Sequence, residues 1–293
     1  MRHESSLITK HTTILGSVNE FRHGRFLDQA PQVRKNERMQ ADAHLHAPNL
    51  AQKEPDFVQK LSPENWRGAL VAHDEDELAQ TQLLRKEMPP TLLGFGIHPQ
   101  GVRWDTLDLL TQMAKQHQID FIGETGFDLF GDRPERVRNA QNLDEQRRAF
   151  EFQVSLAARY DFPVVIHMRK ATDVMMGYAR ALARVPAVIF HCWPGRLAEA
   201  QGMLKKGINA YFSMGTPILR NASHALETCE GLPQERLLSE TDAPFQPPYG
   251  EAWTSCADLS AVVAKIATVR GIPIEKAQDF LYENFKSAYG RNI

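Results

Sequence analysis

Eight short apolar runs, each followed by a stretch long enough for a helix, recur between residues 40 and 290 and leave this chain few folds. The runs are 41–45, 68–72, 92–97, 120–124, 163–167, 187–191, 208–213 and 237–241. Several are continuously apolar rather than alternating, the pattern of parallel strands covered on both faces. Helix ends are legible between them. Asp74 is placed to cap 75–87, which Pro89-Pro90 stops, and Asn142-x-x-Glu145 offers a capping box for 143–160. Thr216-Pro217 opens a helix closed by Gly231, while 255–270 ends at Gly271 and 274–289 at Gly290. Strand–helix repeats of this kind join parallel neighbours through right-handed crossovers. Eight of them close most economically as a single-domain α/β fold, the (β/α)8 TIM barrel. The open doubly wound alternative lacks a G-x-G-x-x-G after any strand.

Residues 1–38 show no sustained period, and Met39 stands directly before the first strand. They are expected to form a poorly ordered extension, with Met39 an alternative start, and 39–293 to form the barrel. At 293 residues the chain has ample length for that fold, which takes about 250. A formal charge of −2 gives no global basic field, so any phosphate recognition is local. Cys192, Cys229 and Cys256 are odd in number and far apart, which fits a reducing cytoplasm rather than a disulfide framework. No apolar run reaches membrane-spanning length and the start has no secretory core, so no membrane partner is expected. No obligatory protein partner is evident.

The chemistry lies where the runs end. In Asp42-Ala43-His44-Leu45-His46 a two-residue period puts Asp42, His44 and His46 on the same face, where two imidazoles can share one cation. Asp42, one step deeper, is expected to accept a hydrogen bond from a ligating imidazole. Glu124 leaves an apolar strand and needs a partner, because a bare buried carboxylate is costly. Either Arg133, Arg136 or Arg138 supplies a salt bridge, or the two oxygens bridge two cations. Asp128 lies further on and is read as shaping the loop. His167 and His191 end consecutive strands in register with Glu124, and Asp242 ends the eighth. Nitrogen and oxygen donors without thiolate suit Zn, Mn or Mg. Cys192 adjoins His191, but a two-residue period turns its sulfur away, so it is read as core packing. His73 is read as a surface histidine beside the capping Asp74.

These ordered motifs, DAHLH, GETGFD, VIHMR, FHCW and SETDAP, together with GIHP at 96–99 and ENFKSAYG at 283–290, resemble the TatD family of metal-dependent deoxyribonucleases. The likeness spans about residues 40–290. It implies a (β/α)8 barrel with two divalent metal ions, one held by His44, His46 and Asp242, and Glu124 bridging to a second held by His167 and His191. Phosphotriesterase-like relatives use a carbamylated lysine at the fourth strand, where this chain has Glu124. The sequence departs from the family in GETGFDLFGDR and in FQPPYGEAW after Asp242, both loops that should face substrate.

The expected reaction is attack on a phosphodiester by a hydroxide formed between the two cations, with Asp242 taking the proton. Arg169 is placed to reach a phosphate, Lys170 to solvate the loop. The basic stretch 133–138 is either a backbone track or a solvated face. His98, as a proton or phosphate contact, and Glu240, as a carboxylate behind the ligands, complete the substrate-side candidates. The partner is then nucleic acid or another phosphodiester. Two rivals remain: hydrolysis of a carboxylic ester or amide by the same hydroxide, as in aminoacyl-tRNA deacylation, and a non-catalytic binding scaffold.

Overall fold

The strands pair in chain order and all in parallel: β1 (Gln40–Leu45), β2 (Trp66–Ala72), β3 (Thr91–Phe95), β4 (Phe121–Asp128), β5 (Val164–Arg169), β6 (Val188–Phe190), β7 (Ala210–Met214) and β8 (Leu237–Ser239). The computed structural model describes residues 38–290. Around the strands lie α1 (Ala47–Lys53), α2 (Glu75–Leu84), α3 (Leu107–Lys115), α4 (Ala140–Tyr160), α5 (Thr172–Met176), α6 (Ala179–Leu182), α7 (Leu197–Lys205), α8 (Ser223–Gly231), α9 (Asp258–Arg270) and α10 (Ile274–Tyr289). This is the TIM barrel that the eight apolar runs imply. The extension expected over 1–38 lies outside the described residues except for Arg38, which pairs with Asp279. Among the described residues no helix is long and apolar enough to cross a membrane.

Strand phase decides what points into the barrel. Ala69, Val71, Leu92, Val165, Ile189, Tyr211 and Leu238 form the interior cluster, while Leu70, Leu93, Ile166, Phe190 and Phe212 pack outward against the helices. Two strands change phase part-way. On β1, Asp42 pairs with Gly68 but Leu45 with Leu70, and on β4, Ile122 pairs with Val164 but Thr125 with Ile166. Each break sets three residues against two, a bulge that re-aims everything after it. Ala41 and Ala43 therefore point inward while Leu45 points outward, which leaves His44 and His46 facing the interior.

The seam between β8 and β1 is closed largely by side chains. Ser239 Oγ donates to the Ala41 carbonyl at 2.9 Å, and the Asp42 carboxylate accepts from the Thr241 amide at 2.9 Å and hydroxyl at 2.6 Å. Beyond the strand, the Asp242 amide donates to the His44 carbonyl at 2.9 Å. The other end is plugged by α10, whose Phe285, Ala288 and Tyr289 join the interior cluster; the Tyr289 hydroxyl donates to the Ala43 carbonyl at 2.6 Å. The end where the strands finish stays available for a site.

Several helix limits differ from expectation. Asn139, not Asn142, caps α4; its side chain accepts from the Asn142 amide at 2.8 Å, so the helix starts three residues early. Thr216-Pro217 makes only one turn of 3-10 helix, and α8 begins at Ser223. Asp74 caps α2 as expected, but the helix ends at Leu84.

Candidate metal centre

Continuing each interior position by two residues arrives at an ionisable group. Val71 leads to His73, Gly96 to His98, Val165 to His167, Ile189 to His191, and Leu238 to Glu240 and then Asp242. With His44, His46 and Glu124 re-aimed by the bulges, nine donors converge at the strand ends. Glu124 is at their centre and buried. Its Oε1 lies 2.9 Å from His167 Nδ1 and 2.8 Å from His191 Nε2, and its Oε2 lies 3.1 Å from His44 Nε2 and 3.4 Å from His46 Nε2. Asp242 Oδ1 is 3.4 Å from His46 Nε2 and 3.7 Å from His44 Nε2. Three of the resulting groups, His44–His46–Glu124, His44–His191–Asp242 and Glu124–His167–His191, have the closeness a metal ion requires and are fully buried. All six sequence-predicted ligands are thus brought together.

Two of the imidazoles are backed by carboxylates. His167 Nε2 lies 3.0 Å from Asp128 Oδ2, which also accepts from Arg169 at 3.1 Å and from Gln100 at 2.7 Å. Asp128 is therefore more than a loop-shaping residue: it fixes the His167 ring. His191 Nδ1 faces Glu240 Oε1 at 3.6 Å. Glu240 is wholly buried behind that ring, so it does not reach the mouth as a substrate contact would. Arg169 remains at the mouth, its other nitrogen 3.6 Å from Asp132 and its guanidinium over the Phe130 ring.

Electrostatics keeps the carboxylates charged. Burial raises the Glu124 carboxyl, but the His191 and His44 charges and the His167 hydrogen bond outweigh it and hold it well below the usual range. Asp242 follows the same balance, with His46 as the main opposing hydrogen bond. Conversely, burial lowers His191, yet Glu124 and then Glu240 lift it well above an ordinary histidine. Burial dominates at His98 and brings it down to about 3.

Some neighbours stand elsewhere than their sequence context suggests. His73 is not a surface residue; its Nε2 is 3.5 Å from Glu124 Oε2, and His98 Nε2 is 3.3 Å from Glu124 Oε1. The period-two continuation of Ala69 and Val71 was the available signal. Asp42 contacts Thr241 and the His44 amide rather than an imidazole, because the β1 bulge separates its phase from the histidines. Cys192 is not core packing either. It is a partly exposed turn residue past the end of β6, with φ 39°, and burial of its thiol, followed by the Glu240 and Asp242 charges, pushes that thiol well above an ordinary cysteine. Two of the candidate arginine partners of Glu124 are engaged elsewhere: Arg136 with Asp132 and Gln100, Arg138 with Asp173.

Gly96 and Gly126 make the close approaches possible. A Cβ on Gly96 would lie 2.6 Å from the Gly123 carbonyl carbon, and one on Gly126, at φ 143°, would strike the His167 carbonyl oxygen.

The profile of the family described as TatD related DNase matches residues 41–290. The chain belongs to the TatD family of metal-dependent hydrolases. It is 26% identical over 259 residues to the uncharacterized metal-dependent hydrolase YabD of Bacillus subtilis, covering 85% of this chain and 98% of that protein. Identity to the 3'-5' ssDNA/RNA exonuclease TatD of Escherichia coli is 30% over 205 residues, covering 67% and 76% of the two chains. The crystal structure of YjjV, a TatD homolog from E. coli, superposes with a TM-score of 0.75 at 24% identity, covering 86% of this chain and 98% of that one, and shows the shared fold. As a TatD-family hydrolase the chain requires donors for divalent metal, and its own residues fit. His44 Nε2 and His46 Nε2 stand 3.2 Å apart beside Glu124 Oε2, a buried oxygen without a hydrogen-bond partner. Donor atoms so arranged fit a divalent cation among them.

Proposed function

We propose that this chain hydrolyses phosphodiester bonds, DNA foremost, with two divalent cations (Zn, Mg or Mn) held across Glu124. The division of the Glu124 carboxylate carries this reading: Oε1 faces His167 and His191, while Oε2 faces His44 and His46. His44, His46 and Asp242 would hold one cation, His167 and His191 the other, and Glu124 both. Bound there, such a pair supplies a water of lowered pKa and offsets charge on phosphate oxygens.

The protein groups do the remainder. Asp242 Oδ2 accepts from the Gln246 amide at 2.8 Å, which fixes the carboxylate and leaves that oxygen a second lone pair. Held ionised, it accepts the proton of the attacking water and passes it to the leaving oxygen. Asp128 keeps the His167 ring in its working orientation, and Glu240 sets a negative charge behind the His191 ring. Arg169, at the mouth, presents a planar donor fork to a phosphate. His98 points its Nε2 into the site, because its Nδ1 accepts from the Gln100 amide at 3.0 Å, and so offers a donor to the same substrate. The E. coli relative named as a 3'-5' ssDNA/RNA exonuclease supports nucleic acid as the substrate class.

The test is hydrolysis of single-stranded DNA and of a chromogenic phosphodiester, beside a carboxylic ester, with and without chelator. Chelator-sensitive turnover of the phosphodiesters, with the ester much slower, is expected. Turnover that survives both metal removal and Glu124→Ala excludes the scheme.

A further inference from the structure

Exposed aromatic rings are grouped in this molecule. Among the described residues, Phe130 (44%), Phe245 (46%), Trp253 (38%) and Tyr249 (96%) are the large aromatic side chains left more than a third open. All four lie in the two segments that leave β4, which ends at Asp128, and β8, whose exit carries Asp242. Phe245 meets His46 edge to face, ring centroids 4.9 Å apart. Phe130 donates its amide to Asp128 Oδ1 at 3.1 Å and carries the Arg169 guanidinium 4.0 Å above its ring. One open ring therefore stands beside His46 and another beside Asp128.

The segment after β8 is pinned at its neck. The Thr254 amide donates to the Pro244 carbonyl at 3.0 Å, which brings Trp253 and Phe245 to neighbouring positions, and Thr216 Oγ1 donates to the Gln246 carbonyl. Tyr249 and Trp253 line a cavity of about 540 Å3 whose rim includes Glu54, Asp56, Glu251 and Asp258. Lys53 and Lys60 share that lining, Lys60 paired with Glu54 at 2.7 Å and Asp56 at 3.2 Å, so the carboxylates outnumber the ammonium groups four to two. The cavity is thus unfavourable for a phosphate but suited to an uncharged ring bearing N–H donors.

We propose that the aromatic side chains after β8, led by Phe245 and continued by Trp253 and Tyr249, stack on the bases of a single-stranded nucleic acid whose scissile phosphate lies at the donor cluster, while Arg169 over Phe130 takes the neighbouring phosphate. The proposal rests on the phosphodiester reading of the site. Every base has a π-face, so such platforms are sequence-tolerant. In a duplex those faces are covered by neighbouring pairs, which makes the single strand the better ligand. A protein partner laid over the same rings would close the mouth against which Phe245 and Phe130 are set.

The test compares a 5'-labelled oligothymidylate with the same backbone carrying tetrahydrofuran residues in place of bases, both with Mn2+, and bis(4-nitrophenyl) phosphate alongside. Wild-type kcat/KM should favour the base-bearing strand by roughly 5- to 150-fold per stacked base. Phe245→Ala should bring that ratio toward one, chiefly through KM, and Phe245→Trp should keep it. Tyr249→Ala removes a side chain with almost no packing, so it endangers no fold, and should lower the ratio by a smaller factor. Equal wild-type rates on the two strands, or a ratio untouched by both alanine variants, overturn the stacking and leave the phosphodiesterase reading standing. No turnover of any of the three substrates overturns both.

Discussion

The floor of the site and its rim are built by different rules. On the floor, His44, Glu124, His167, His191 and Asp242 are buried; the first four are aimed by their strands, and Asp242, at φ 57° past the end of β8, is held by its amide bond to the His44 carbonyl and by Gln246. On the rim, Phe130, Phe245, Trp253 and Tyr249 are open, and they sit in connecting segments held by a few capping hydrogen bonds. The floor is thus suited to fix the reaction and the rim to choose the substrate, the division of labour that barrels allow between strand ends and loops. Of this chain's departures from the TatD pattern, FQPPYGEAW and the part of GETGFDLFGDR beyond Asp128 lie at the rim, while GETGFD itself is the buried end of β4 rather than a substrate-facing loop.

That contrast can be broken first at Glu124. Glu124→Ala should lower kcat/KM on a chromogenic phosphodiester by roughly 10³-fold or more, as expected when a group shared by both ions is lost. Steady-state kinetics with activity near wild type would show that the floor does not carry the reaction. The backing carboxylates come next. Asp128→Asn should cost roughly 10- to 100-fold in metal affinity or activity. Glu240→Gln should cost less, because Glu240 stands 3.6 Å from its imidazole and Asp128 stands 3.0 Å. Isothermal titration of metal into the apoprotein ranks them, and the reverse order would contradict the argument from distance. At the rim, Arg169→Ala should raise KM for an oligonucleotide by about 10-fold with a smaller change in kcat, since one charge-assisted contact is removed. A loss confined to kcat would move Arg169 from the rim to the floor. The smallest effect on activity is expected far below both, at Tyr289→Phe. It removes the 2.6 Å bond to Ala43 and should lower stability by about 1 kcal/mol while turnover stays as it was. Thermal denaturation and a rate assay check the two halves of that expectation.

Much of the floor was legible in the sequence, because parallel strands buried on both faces announce themselves as apolar runs and the donors follow directly. His167 and His191 were readable from strand ends alone. The bulges were not. An extra residue in β1 leaves DAHLH looking like an unbroken alternation, so Asp42 seemed to share a face with His44 when it closes the seam through Thr241. His73 was hidden by Asp74, whose capping role is real and seemed sufficient for that stretch. Cys192 escaped because the two-residue period was carried past Phe190, where β6 stops and the backbone turns. Asn139 and Asn142 are both plausible caps by composition; only the geometry shows Asn139 accepting from Asn142. The rim was the least legible part, since an exposed Phe and a buried one are written with the same letter.

Anomalous diffraction from crystals grown with Mn2+ would locate the ions at the Glu124 cluster. Two peaks per chain are predicted, one among His44, His46 and Asp242 and one between His167 and His191, with Glu124 touching both. A single peak, or ions bound away from Glu124, would contradict the account.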